Sequence, residues 1–213
     1  MKHTSGSVKS ETAARVTELR RVPVQARGHR TVARILAAAS RLFVVPGYDA
    51  ATTTEIARQA GVSVGSVYQF FPDKEALLEA LAARHSEAVD QILAASQRVD
   101  DDAALEEIVG LIVERIVAHA RREPVFGVLL AGTGSPPVTQ VSERLRSELV
   151  KRVEPVLAHK PLPPRRRRIV ASVCVDLLAA LLPRTLDDRG QPRPAMVREL
   201  ELALAAYLGA VTA

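Results

Sequence analysis

Apolar residues recur at helical spacing from residue 31 almost to the end of the chain. Val32, Ile35, Leu36, Ala39, Leu42 and Phe43 form one stripe, which Pro46-Gly47 ends. Two short helices follow within residues 52–71. A long helix then opens at Asp73 and carries Leu77, Leu78, Leu81, Ala88, Val89 and Ile92 on one side. Asp100-Asp101-Asp102 supplies acidic start signals for a helix over 102–121, with Leu105, Ile108, Val109, Ile112, Ile116 and Val117 inward. A short helix near 124–131 ends in "AGTGSPP", and 136–159 reads as another, with Pro155 a candidate kink. "KPLPP" separates it from a helix at 164–183, and "DDRGQPRP" separates that from the last, 194–211. No internal repeat and no strand pattern emerges. The pattern predicts an all-α chain of about nine helices.

Before residue 28 the pattern is polar, basic and aperiodic. It reads either as a flexible basic arm or as an inert tail. The expected organisation is therefore an arm over 1–28, a small helical head over 29–75 and a helical body over 76–213. Composition adds little to this, at 47% apolar and 25% charged residues. Charge adds more. Residues 1–75 hold 11 lysines and arginines against 6 acidic residues, while 76–213 hold 18 of each. The excess suggests a polyanion partner for the N-terminal third, although a solvated basic surface gives the same count.

The single cysteine, Cys174, rules out an intramolecular disulfide and suits a reducing cytosol. The N-terminus lacks the apolar core of a signal peptide. The run Ile169–Leu182 is too short to span a bilayer and contains Asp176, so it reads as a buried helix. The expected compartment is the cytoplasm, with no membrane partner.

The stretch from Thr53 to Phe70 is the most specific. Ala57 lies four residues after Thr53, Gly61 four after Ala57, and Val67 six after Gly61. In a helix-turn-helix the crossing needs a small residue, here Ala57, and the tight turn needs one tolerant of positive φ, here Gly61. The second helix must also bury an apolar residue on the first, and Val67 is placed to face Ile56 and Ala60. Thr52 with Glu55 reads as a capping box, and Ser63 as the N-cap of the second helix.

That second helix would present Ser63, Val64, Gly65 and Ser66 at its first turn, where recognition helices meet bases and phosphates. Gly65 is a poor helix residue, which makes sense if the backbone must come close to a partner. Tyr68 and Gln69 follow one turn later and can reach phosphates or bases. Lys74 stands at a helix start, where a cation opposes the dipole unless an anion lies in front of it. Of seven Phe and Tyr residues, Phe43, Tyr48, Tyr68, Phe70 and Phe71 gather here. A small three-helix core accounts for most of them, with Tyr68 left for the outside.

With those residues in view, "ILAAASRLFVVPGYDAATTTEIARQAGVSVGSVYQFFPDKEALLEAL" resembles the N-terminal domain of the TetR family of bacterial transcriptional regulators, over about residues 31–81. The remaining helices agree with that family in number, length and order. The resemblance implies a homodimer, each subunit with a three-helix DNA-binding head and a helical ligand-binding and dimerisation body. Such proteins usually repress transcription from a double-stranded operator until a small molecule binds. On that resemblance Thr53, Ser63, Tyr68 and Lys74 look like phosphate-contacting positions, and Val64, Gly65 and Gln69 like positions that touch bases. Two departures stand out. Phe70 occupies a place where many relatives carry a polar His, and an apolar Val64 can meet only a thymine methyl.

In the body, the last two helices are the dimer candidates. Ala171, Ser172, Ala179 and Ala180 allow close approach in one, and Val197, Leu200, Leu204, Tyr207, Leu208 and Val211 form a stripe on the other. The same residues would also serve to complete a monomer core. After residue 76 the only aromatics are Phe126 and Tyr207, so a small-molecule pocket there would be lined mainly by Leu, Ile, Val and Ala. His85, Arg115, His119, Phe126 and Asp176 are its candidate anchors, for an apolar ligand with one polar end entering between the helices at 102–121, 124–131 and 136–159.

No nucleophile elbow, Gly-rich phosphate loop or metal-spaced His/Cys set appears, and His85, His119 and His159 stand isolated. These patterns predict no enzyme activity, no cofactor and no bound metal. An interaction protein that has kept the fold without reading DNA is the remaining alternative, against which Gly61, Ser63, Tyr68 and Lys74 argue.

Overall fold

A computed structural model of the chain describes residues 26–96, 104–158 and 160–212. The expected basic arm lies outside the described residues except for its last positions. So do Asp100 to Asp102 and His159. Nine α-helices occur among the described residues, with no strand beyond an isolated bridge between Leu186 and Pro192.

The head contains α1 (Ala26–Leu42), α2 (Thr53–Ala60) and α3 (Val64–Phe70). α1 begins five residues before Thr31, because helical backbone extends into the polar "ARGHR" segment. It stops at Leu42, followed by a wide turn over Phe43–Gly47 in which Val45 is extended, as a residue before proline tends to be. The core of the head is Ile35, Leu42, Phe43, Ile56, Val67 and Phe71. Phe43 meets Tyr48 edge to face with ring centroids 5.1 Å apart.

α4 (Lys74–Ser96) belongs to head and body at once. Asp73 caps it, its Oδ1 accepting from the Ala76 amide at 2.8 Å. Its first half packs on α1, and its length runs along α5 (Leu105–Arg122) and α7 (Pro136–Val156). α6 (Val125–Ala131) carries Phe126, Leu129 and Leu130, all fully buried, into the centre of the body. α8 (Pro164–Leu181) and α9 (Pro194–Thr212) close it, α8 against α7 and α9 against α5. Pro155 sits in the final turn of α7, where it has little helix left to kink.

Within the single chain the α9 stripe packs on the core: Leu200 and Leu204 are buried, and Val197, Tyr207, Leu208 and Val211 are half-buried against it. What α8 and α9 leave outside is a different pair of large residues, Ile169 at 56% exposure and Leu202 at 57%.

Removing the fully buried Phe126 ring should cost about 3–5 kcal/mol. Phe126→Ala should therefore melt well below the wild type by circular dichroism.

Candidate DNA-reading face and ligand cavity

The turn between α2 and α3 is built as its spacing predicts. Gly61 is left-handed, φ +63°, and closes α2 with its amide on Ala57 and Arg58 carbonyls. Thr52 caps α2, its Oγ1 accepting from the Glu55 amide at 3.1 Å. The capping box is only half made, because the Glu55 carboxylate accepts from Arg58 at 2.6 and 2.8 Å instead of reaching back. That pairing holds the exposed carboxyl at about 2. Ser63 caps α3, accepting from the Ser66 amide at 3.1 Å, with the two hydroxyls 2.8 Å apart.

Ser63, Gly65, Tyr68 and Gln69 are exposed along one side of α3, and Val67 and Phe70 fill the other. Val64 and Ser66 are half-buried, with Val64 packed on the core. Tyr68, 42% exposed, is held by a hydroxyl–hydroxyl bond of 3.1 Å to Thr53 on α2. A methyl group at Gly65 would meet only Ser63 Oγ, at 3.9 Å. Nothing inside the protein asks for glycine there. Phe70 is buried, so the apolar residue at that place serves the core.

Two basic residues do something the sequence does not disclose. Lys74 Nζ donates to three main-chain carbonyls of the preceding loop: Tyr48 at 2.7 Å, Ala51 at 3.1 Å and Asp49 at 3.3 Å. It also lies 4.3 Å from the centre of the Tyr48 ring. Lys74 thus sits in a cage of carbonyl oxygens, which clamps the α1–α2 loop to the start of α4. Arg34 on α1 donates to the Gly61 carbonyl at 3.0 Å and braces the helix-turn-helix from behind.

In the body, a cavity of about 100 Å³ lies among α4, α5, α7, α8 and α9. Val89, Leu93, Ile112, Leu149 and Leu204 line it, and the Cys174 sulfur is the one heteroatom among its lining side chains. Burial pushes that thiol up to about 11. None of the five expected anchors reaches this cavity. Asp176 is exposed on the opposite flank of α8. Arg115 faces the surface between α4 and α5. His85, His119 and Phe126 form a cluster of their own, with ring centroids 5.1 to 5.3 Å apart. His85 Nδ1 lies 3.0 Å from His119 Nε2. The helices around the cavity also differ from those expected: α5 and α7 line it as expected, α6 does not, and α4, α8 and α9 do.

The comparisons with known proteins fit this architecture. Residues 35–81 match the model for bacterial regulatory proteins of the tetR family, and residues 104–208 match a tetracyclin repressor-like C-terminal domain. The uncharacterized HTH-type regulator YvkB of Bacillus subtilis is 47% identical over 60 residues, 28% of this chain and 32% of that protein. The nucleoid occlusion factor SlmA of Haemophilus ducreyi is 33% identical over 86 residues, 40% of this chain and 42% of that one. The matched stretches thus span about a third to two fifths of these curated relatives. Among solved structures, a TetR-family regulator from Streptomyces coelicolor superposes with TM-score 0.64 at 24% identity, over 88% of this chain and all of that one. A TetR-family protein from Syntrophomonas wolfei reaches 0.71 at 17% identity, over 85% and 96%. The chain belongs to the TetR family of bacterial regulatory proteins. Among its described residues no helix is long and apolar enough to cross a membrane.

The histidine cluster yields a pH prediction. Burial, then the neighbouring His119 and Arg84, push His85 from 6.5 down to about 3, and burial lowers His119 as well. The unfolded chain therefore binds more protons than the folded one below pH 6.5. Stability is full above that pH and is lost as pH falls towards 3. Between pH 7 and pH 5 the wild type should lose about 2 kcal/mol more than His85→Phe, read from urea denaturation at the two values.

Proposed function

We propose that the protein is a sequence-specific DNA-binding transcriptional regulator, a repressor that binds its operator as a homodimer through α3 and is released by a small molecule. The observation that carries this reading is the outer face of α3. A glycine that no internal contact requires stands between exposed capping hydroxyls and an exposed tyrosine pinned from behind by Thr53. A recognition helix needs that combination, because its backbone must enter a groove while its flanks hold phosphates.

Ser63, Tyr68 and Thr53 serve as phosphate-side groups, and Gly65 and Gln69 as base-side positions. The half-buried Val64 and Ser66 reach DNA only at their outer edges. Lys74 contributes chiefly by fixing the loop before α2, and with it the angle of α3. The protein works in the cytoplasm, where its operator is.

The dimer is formed by the outer flanks of α8 and α9. There Ile169 and Leu202 are large apolar residues left exposed, and Ala180, Ala206 and Ala210 on the same helices are exposed and small enough to allow close approach. The ligand enters the apolar cavity, whose present 100 Å³ is smaller than an engineered cavity known to hold benzene. Any drug-sized ligand must widen it. Val89 and Leu93 line it from α4, so widening moves the helix whose first residue clamps the head. This is the route by which the ligand shifts α3 away from its groove.

The test is fluorescence anisotropy on the DNA flanking the protein's own gene, against unrelated duplex, at two salt concentrations. Tight, selective and salt-dependent binding is expected. Gly65→Leu should abolish it with the circular dichroism spectrum unchanged, and retained affinity would remove α3 from the interface. For Lys74→Gln, a loss of thermal stability with an unchanged salt slope is expected; a slope smaller by about 1 would make Lys74 a phosphate contact instead. Ile169→Glu with Leu202→Glu should yield a folded monomer in sedimentation velocity, and a persistent dimer would move the interface elsewhere.

A further inference from the structure

A second recess lies on the outer flank of the α4–α5 pair, facing away from the apolar cavity. Its volume is about 440 Å³, within the range of small-molecule sites, and it is lined by Gln91 and Ile92 of α4 and by Arg115, Ala118, His119 and Arg122 of α5. Arg115, His119 and Arg122 fall at i, i+4 and i+7, one stripe of α5. Among the described residues no acidic side chain lines it. Neither guanidinium has an ion-pair partner among the described residues. Two carboxylates next in sequence to lining residues are engaged elsewhere, Glu123 with Arg84 and Glu87 with Arg152.

The pair of buried His85 and half-buried His119 adds a third donor. Only one proton lies between His85 Nδ1 and His119 Nε2. His85 Nε2 is buried with no hydrogen-bond partner. Were His119 to donate, neutral His85 would carry its proton on that orphaned nitrogen, and orphaned buried N–H groups are rarer than orphaned acceptors. The favoured arrangement has His85 donating from Nδ1, which leaves the His119 proton on Nδ1. That atom has no protein partner and is not among the buried unsatisfied atoms, so it opens to the groove that His119 lines. Among the described residues the groove thus presents two guanidiniums and an imidazole N–H around an aliphatic floor, with the uncharged Gln91 amide beside them and no carboxylate.

We propose that this groove binds a small organic acid, with its carboxylate taken by Arg115, His119 and Arg122 and its apolar body laid on Ile92 and Ala118. Guanidinium matches a carboxylate with paired, charge-assisted hydrogen bonds, and the floor shields them from water. The site is separate from the apolar cavity and does not depend on how the head reads DNA.

The test is isothermal titration of the full-length protein with benzoate, 1-naphthoate and hexanoate, using benzamide and inorganic phosphate as controls. At least one acid should bind, about tenfold or more tighter than either control. Arg115→Gln with Arg122→Gln should weaken it by at least about tenfold without changing the melting temperature by more than a few degrees. His119→Phe, which keeps the ring packing, should weaken it by a smaller factor. Failure of all three acids would overturn the proposal. So would benzamide binding as tightly as benzoate, or an unchanged affinity in the double arginine variant. Phosphate binding as tightly as the acids would overturn the organic-acid assignment and leave a plain anion site.

Discussion

The protein depends on one side of α4 being buried along its length by two different sets of neighbours. Leu77, Leu78 and Leu81 are buried where the head packs on it, and Val89 and Leu93 are buried in the body. A 23-residue helix spans about 34 Å, so one rigid rod connects the clamp at Lys74 to the wall of the apolar cavity. Packed interiors do not deform smoothly, and a wall displaced at one end of such a rod must be answered at the other. The Lys74 cage makes that answer specific. Three carbonyls of the 48–51 loop are held by one ammonium on α4, so the loop that leads into α2 follows the helix.

The head itself shows how few residues a DNA-reading unit requires. Two oxygen caps, one left-handed glycine, one alanine at the crossing and a handful of apolar side chains define α2 and α3. Most of the aromatic residues of the chain are spent here, because a core of this size needs large side chains to exclude water. Tyr68 is the exception, and its bond to Thr53 fixes its direction without burying it.

What could be read from the sequence was what depends on near neighbours along the chain. Gly61, the Thr52 and Ser63 caps and most helix limits rest on spacings of three to four residues, and they appear where expected. What depends on distant neighbours was not legible. Arg34 meets Gly61 across 27 residues, Lys74 meets Tyr48 across 26, and His85 meets His119 across 34. Periodicity also reveals a stripe without saying what it faces. α9 has two apolar sides, and its stronger stripe, with Leu204, completes the monomer while Leu202 stays outside. The same limit explains why Asp176 looked like an anchor. It lies within an apolar run, but its neighbours Cys174, Val175 and Leu178 take the inner side of the turn.

The body thus separates two chemistries that a single amphiphilic pocket would have combined. The α4–α5 pair carries aliphatic side chains on its inner flank and guanidinium and imidazole groups on its outer one, with the pair of His85 and His119 between the two helices. Burying the polar groups beside the cavity would have required partners for each of them, which a chain this poor in polar core residues does not have. Placing them on the outer flank leaves them hydrated until an acid arrives. Any ligand of the inner cavity must then be recognised by shape and apolar area alone, while charge is read on the other side of the same helices. An occupant on either side bears on α4, the one element that continues into the DNA-reading head.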